Sequence, residues 1–153
     1  MIVIDANLLV ALVSGDPRGN LILRYFLDWL DKDVELHAPA LAVYEVANAL
    51  TRMIATGAFA VEKLEQALGD IFMIPIQFHE LVANETRYLY PPLPDSKRVV
   101  DIALKLGRQN AYDASYLALA EKLGCELWTL DGPLYRNAVG QGFAVQLISA
   151  NQP

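Results

Sequence analysis

The stretch Met1-Ile2-Val3-Ile4-Asp5-Ala6-Asn7 decides the fold of this 153-residue chain. Its β-branched run Ile2-Val3-Ile4 predicts a strand that is buried on both faces, as the central strands of parallel sheets are. A carboxylate, Asp5, follows the strand, and an apolar run that predicts a helix begins at Leu8. Open α/β sheets place their chemistry where a buried strand ends and turns into a helix, so Asp5 is the first candidate functional residue.

The composition predicts one domain spanning residues 1–153. A chain of 153 residues can bury a large core. Apolar residues make up 54% of it, above the usual share of about 45–50%, which favours an oligomer. No apolar run reaches the roughly 18 residues of a membrane helix, and the amino terminus lacks the basic region of a signal peptide. A cytoplasmic protein is therefore expected.

The net charge and the numbers of cysteines and histidines argue against several classes of function. The net charge of -6 argues against a passive nucleic-acid coat, which would need excess Lys and Arg. A nuclease remains compatible, because bound divalent cations offset clustered carboxylates. The single cysteine, Cys125, excludes an internal disulfide and a cysteine-based metal cluster. With only two histidines, His37 and His79, a histidine-rich zinc site is not expected.

Strands and helices alternate along the rest of the chain. Further strands are predicted at residues 34–38, 72–78, 126–130 and 143–148. A helix is predicted from Val61 to Ile71, and Pro75 indicates that the third strand lies at an edge or starts later. This alternation predicts an α/β fold, a three-layer α/β/α sandwich with a mostly parallel five-stranded sheet.

Four acids are placed where one edge of that sheet is expected. Asp5 and Asp131 follow predicted strands, and Glu45 and Asp113 lie near helix starts among small and apolar residues. Helices that follow parallel strands begin at the carboxyl edge of the sheet, so these acids should share one rim. A buried, unpaired carboxylate is costly, and a metal ion would reconcile the four placements.

Each acid also has a purely structural interpretation. Asp5 and Asp131 could each be only the N-cap of the helix that follows. Glu45 could be exposed on an otherwise buried helix, and Asp113 could be a first-turn helix acid. The four acids together, and not any one of them alone, indicate a functional site.

The segments around these acids resemble the four acidic motifs of PIN domains, in order and over essentially the whole chain. They are most similar to the VapC-type toxins of bacterial and archaeal toxin–antitoxin pairs. The segments are Ile2-Val3-Ile4-Asp5-Ala6-Asn7, Tyr44-Glu45-Val46-Ala47-Asn48-Ala49-Leu50, Tyr112-Asp113-Ala114-Ser115-Tyr116-Leu117-Ala118-Leu119-Ala120 and Leu127-Trp128-Thr129-Leu130-Asp131.

The resemblance implies a site and an activity. Its acidic cluster would be Asp5, Glu45, Asp113 and Asp131, with Thr129 as an auxiliary hydroxyl and Asn7 as an accessory polar group. Such clusters bind hard cations, which implies Mg²⁺ or Mn²⁺ and in-line attack of an activated water on an RNA phosphodiester. The implied partners are single-stranded or looped RNA, a cognate antitoxin and a second copy of the chain.

Two further features are left open. Five arginines could meet RNA phosphates, although solvated surface charge is the better explanation of each one taken alone: Arg18, Arg52, Arg98, Arg108 and Arg136. Arg136 is the preferred candidate, because it lies just beyond Asp131. The segment Tyr88–Pro94 is either a packed loop or a contact surface for a second subunit or an antitoxin.

Two other functions compete with this hypothesis. Phosphatases with an aspartyl nucleophile also start with a strand that ends in Asp. They require a second Asp two residues later, where this chain has Asn7, and a later lysine that is missing here. An inactive PIN-like or receiver-like domain that only binds partners is the other alternative.

Overall fold

The computed structural model describes residues 1–80, 93–107 and 111–149, without the side chains of residues 93–95. The strands pair in parallel in the order β3-β2-β1-β4-β5. Their ranges are β1 (Ile2–Ile4), β2 (Leu36–Pro39), β3 (Ile76–His79), β4 (Leu127–Thr129) and β5 (Val145–Leu147). The predicted α/β fold with a five-stranded sheet is confirmed, and the described sheet is parallel throughout.

Two groups of helices flank this sheet. The helices are α1 (Ala6–Val13), α2 (Gly19–Asp31), α3 (Leu41–Ala55), α4 (Leu64–Phe72), α5 (Leu93–Lys105), α6 (Tyr112–Leu123) and α7 (Gly132–Gly140). Helix α6 packs against β1, β2 and β4 and carries α5 on its outer side, whereas α1 packs against α2, α3 and α4. Every residue from Ala114 to Ala120 is buried, because α6 is covered both by the sheet and by α5.

The first strand is the centre of the sheet, as its sequence predicts. All three of its residues are buried, and Val3 and Ile4 are fully inaccessible to solvent. It pairs with β2 on one side and with β4 on the other. Ile4 is in register with Trp128, so the chain leaves β1 and β4 at the same point of the carboxyl edge.

Some element boundaries differ from the sequence-based prediction. The helix predicted from Val61 opens as a 3₁₀ turn (Val61–Lys63) before α4 begins. Strand β3 starts at Ile76, because the residues up to Phe72 continue α4, where Ile71 is buried, and because proline has no N–H for a ladder. It is an edge strand, so both implications of Pro75 are confirmed.

The segment Tyr88–Pro94 lies outside the residues whose side chains are described, so neither interpretation of it is tested. Among the described helices, none is both long enough and apolar enough to cross a membrane.

Candidate active site

Asp5 lies at the point where β1 turns into α1. Its backbone N–H donates to the carbonyl of Trp128 at 3.0 Å, which continues the pairing of β1 with β4 by one residue. Its Oδ1 accepts the backbone N–H of Asn7 at 3.1 Å, so Asp5 is the N-cap of α1. Its Oδ2 accepts the Thr129 hydroxyl at 2.7 Å, from the end of β4. Asp5 is therefore both a helix cap and a member of a polar cluster.

Asn7 and Thr129 connect the two strand ends. The Asn7 Nδ2 donates to Asp5 Oδ2 at 2.8 Å and to Thr129 Oγ1 at 3.0 Å. The Asn7 Oδ1 accepts the backbone N–H of Leu130 at 3.1 Å, and Thr129 Oγ1 accepts that of Asp131 at 3.0 Å. Because Thr129 is fully buried, this network fixes the Asp5 carboxylate relative to both loops.

Asp131 occupies the matching position after β4. It is the N-cap of α7, since its Oδ1 accepts the backbone N–H of Leu134 at 2.8 Å. The parallel pairing of β1 with β4 places Asp131 on the same edge of the sheet as Asp5. The predicted adjacency of these two strand ends is thus present.

Glu45 reaches this edge from the second turn of α3. Its Oε2 accepts a hydrogen bond from the hydroxyl of Tyr116, a buried residue of α6. Burial, the charge of Asp5 and this hydrogen bond together raise the pKa of Tyr116, so the phenol stays protonated. The sequence-based prediction missed Tyr116 as a site residue, although it lies three residues after Asp113, on the same face of α6.

Asp113 is in the first turn of α6 and is half-buried. Burial, together with the negative charges of Glu45 and Asp113, raises the pKa of Asp5 from 3.8 to about 7. Burial and the charge of Asp113 likewise raise the pKa of Glu45. Hydrogen bonds from Thr129, Asn7 and Tyr116 offset these effects only in part. Asp5, Glu45 and Asp113 are therefore electrostatically coupled.

An open cleft of about 660 Å³ lies over Asp5 and Glu45, and Asp113 is not among its lining residues. Its lining residues come from α1, α3, the loop before α2 and the loop after β4: Asp5, Ala6, Asn7, Val10, Ala11, Ser14, Asp16, Arg18, Glu45, Ala49, Arg52, Met53, Leu130, Asp131, Gly132 and Pro133. Asp5, Glu45 and Asp131, three of the predicted acids, thus share one cleft.

The cleft includes two of the five candidate arginines. Arg18 and Arg52 line the cleft, whereas Arg136 does not. Arg136 is exposed on α7, and its Nη1 lies 3.3 Å from the position that a Cβ on Gly132 would take. Arg98 forms an ion pair with Glu121 at 2.6 Å, and residue 108 lies outside the described residues. The role predicted for Arg136 stays a prediction.

The donor chemistry of the cluster suits a hard divalent cation. Carboxylate oxygens are the ligands that Mg²⁺ and Mn²⁺ prefer. Burial raises the pKa of Asp5 and Glu45 most, and neighbouring carboxylates add to the shift, so a cation would relieve their mutual repulsion. In the described ranges, however, no three acidic, histidine or cysteine side chains are arranged to hold a metal ion. Asp5 Oδ2 and Glu45 Oε2 accept hydrogen bonds, and each carboxylate keeps further lone pairs that a cation could use.

The chain is similar to known proteins over most of its length. Residues 2–140 match the PIN domain family. Ribonuclease VapC3 of Pyrobaculum aerophilum is 32% identical over 133 residues, which cover 87% of this chain and 91% of that protein. Ribonuclease VapC9 of Mycobacterium tuberculosis is 30% identical over 131 residues, 86% of each chain.

A solved structure agrees with the fold. The crystal structure of PAE2754 from Pyrobaculum aerophilum superposes with a TM-score of 0.63 at 25% identity, covering 94% of this chain and 81% of that one. The resemblance seen in the acidic motifs is confirmed by these matches. With its parallel sheet and acidic rim, the chain belongs to the PIN domain family, and its relatives include VapC ribonucleases.

Proposed function

We propose that this protein is a metal-dependent endoribonuclease that cleaves RNA phosphodiester bonds, and that it is the toxin of a type II toxin–antitoxin pair. One observation carries the proposal: Asp5, whose pKa burial and neighbouring carboxylates raise to about 7, lines an open cleft together with Glu45 and Asp131. Clustering like charges in a cleft costs stability, and perturbed carboxylates in clefts mark functional sites. The names of the relatives, which are ribonucleases, support the same activity.

The residues take distinct roles in this proposal. Asp5, Glu45 and Asp113 would hold Mg²⁺, or Mn²⁺, directly or through water, and Asp131 would complete the cluster. When bound, the ion supplies an activated water and offsets the negative charge that develops on the phosphate.

Neutral polar groups would orient the carboxylates. Thr129 and Asn7 hold the carboxylate of Asp5 through hydrogen bonds of 2.7 and 2.8 Å, and Tyr116 holds that of Glu45. The histidines do not take part, since His37 Nδ1 and His79 Nε2 pair with each other at 2.9 Å and neither ring lines the cleft.

A cleavage assay tests the proposal. Purified protein is freed of metal with a chelator and mixed with single-stranded RNA, and Mg²⁺ or Mn²⁺ is then added. Wild-type protein should cleave only after metal is added, and Asp113→Asn should abolish cleavage. Asp28→Asn is the matched control, because Asp28 is exposed on α2 and pairs with Lys32 at 2.7 Å. Undiminished cleavage by Asp113→Asn would refute the site.

An inactive PIN-like or receiver-like binding domain is the second candidate. It is favoured by the absence, among the described residues, of a group of side chains already arranged to hold a metal ion. It predicts that the wild-type protein cleaves no RNA with either metal. Mapping RNA ends in cells after induced expression, with Asp5→Asn as the control, would separate the two candidates and identify the cleaved sequence.

The proposal extends to partners and location. As such a toxin, the protein would act on RNA in the cytoplasm, bind a cognate antitoxin and form a homodimer. Exposed apolar side chains support a covered surface: Leu23, Leu27 and Leu30 lie on one face of α2, and Val100 and Leu104 lie on α5. A monomer by light scattering at micromolar concentration would count against the dimer.

A further inference from the structure

The cleft that contains the acidic cluster has a second, basic end. We infer that Arg52 at this end is a phosphate-binding subsite, which contacts an RNA backbone phosphate flanking the one that is cleaved. The inference rests on the proposed ribonuclease function and identifies where the rest of the substrate would lie.

The cleft runs along two helices that start at the same edge of the sheet. Helices α1 and α3 follow the neighbouring parallel strands β1 and β2, so both lead away from the carboxyl edge. Each contributes residues spaced three or four apart, which lie on one face: Asn7, Val10, Ala11 and Ser14 from α1, and Glu45, Ala49, Arg52 and Met53 from α3. The cleft therefore extends from the acids toward Ser14 and Arg52.

The distance along this cleft suits a neighbouring phosphate rather than the reacting one. Arg52 follows Glu45 by seven positions, and a helix rises 1.5 Å per residue, so the two positions are about 10 Å apart along α3. Small side chains, Ala11 and Ala49, line the space between them. An extended single strand can lie along this surface with one phosphate at the acids and another at Arg52.

The net positive charge of the basic end comes from Arg52. Arg18 also lines the cleft, but its Nε and Nη2 donate to Asp16 at 2.9 and 2.8 Å, so the charge of Asp16 offsets it locally. Arg52 is exposed in the last turn of α3, and none of the ion pairs among the described residues includes it.

Binding of RNA, a polyanion, to this acidic protein requires a positive charge such as that of Arg52. The chain carries a net charge of -6, and acids line the other end of the cleft, so RNA phosphates outside the reacting position are repelled. Arginine binds phosphate oxygens through its planar donor fork, and a phosphate contact adds affinity without base preference. Arg136 is not among the residues that line the cleft.

Steady-state cleavage of a single-stranded RNA oligonucleotide in Mg²⁺ tests the inference. Arg52→Gln should raise KM on the order of tenfold and leave kcat unchanged, since the lost contact binds ground state and transition state equally. The slope of log(kcat/KM) against log salt should shrink by about 0.7, the value for one phosphate of a single strand. Arg52→Lys keeps the charge and should retain the slope. Arg24→Gln removes an exposed arginine of α2 outside the cleft, and should change neither quantity.

The possible results separate this inference from the proposed function. If wild-type protein cleaves RNA and Arg52→Gln matches Arg24→Gln in KM and salt slope, the subsite is refuted while the nuclease stands. The same conclusion follows if Arg52→Gln lowers kcat with KM unchanged. If wild-type protein cleaves no RNA with either metal, the proposed function fails and the subsite fails with it.

Discussion

At the scale of single residues, Asp5 meets two demands with one side chain. Its Oδ1 caps α1 through the N–H of Asn7, and its Oδ2 joins the Thr129 hydroxyl. A cap alone needs no burial and no second carboxylate nearby. The position of Asp5 beside Glu45 and Asp113 is therefore not explained by helix capping, although capping holds its side chain in place.

The raised pKa of Asp5 predicts how metal-free protein responds to pH. Because its folded-state pKa is about 7 and its ordinary value is 3.8, the folded state binds the proton more tightly. The protonated Asp5 carboxyl therefore makes its full contribution to the free energy of unfolding below about pH 4. This contribution is lost as the pH rises through about 7. We expect the melting temperature of chelator-treated protein to fall over this range, and Asp5→Asn to reduce the fall.

Thermal unfolding followed by circular dichroism, at about pH 5 and about pH 8, measures this effect. At the higher pH the metal-free Asp5→Asn variant should be as stable as the wild type or more stable, because it relieves like-charge repulsion. A strongly destabilised variant at that pH would show that the ionised carboxylate of Asp5 is structural.

At the scale of elements, substitutions of Asp131 at the start of α7 can separate its role as a helix cap from its role in RNA cleavage. Asp131 caps this helix through Leu134, and Asn is as good an N-cap as Asp. Asp131→Asn should therefore keep the free energy of unfolding, whereas Asp131→Ala should lower it by about 1 kcal/mol. Both variants remove the charge, so both should reduce RNA cleavage.

Urea unfolding and the cleavage assay together measure these two effects. If Asp131→Asn cleaves RNA as the wild type does, Asp131 is a cap alone and the cluster is reduced to Asp5, Glu45 and Asp113. Equal stability of the Asn and Ala variants would instead show that the cap contributes nothing to α7.

Local sequence patterns predicted most elements but not all their ends. The β-branched run before Asp5 identified β1, because burial on both faces leaves an uninterrupted apolar stretch. Strand β3 was placed too early, because the apolar residues Ile71 and Phe72 suit the end of α4 as well as a strand. Only packing decides between them, since Ile71 is buried in the helix.

At the scale of the whole molecule, the order of the strands creates the site. With β1 between β2 and β4, the chain segments after these three strands open onto one edge, and they carry Asp5, Glu45 and Asp131. This convergence could be predicted from sequence, because acids that end parallel strands must share the carboxyl edge.

Contacts between helices could not be predicted in this way. Tyr116 donates to Glu45 only because α6 and α3 meet at the edge of the sheet, and an aromatic residue inside an apolar helix otherwise indicates core packing. The place of Arg52 in the cleft has the same origin, because it depends on the packing of α1 against α3.

The central claim is that Asp5 and its neighbouring acids bind a divalent cation, and calorimetric titration of metal-free protein with Mn²⁺ tests it without any RNA. The account predicts that wild-type protein and the Asp28→Asn control bind Mn²⁺ equally. It also predicts that Asp5→Asn weakens the binding by more than about tenfold, as loss of a ligand should. Absence of Mn²⁺ binding by the wild type, or equal affinity in Asp5→Asn, would contradict it.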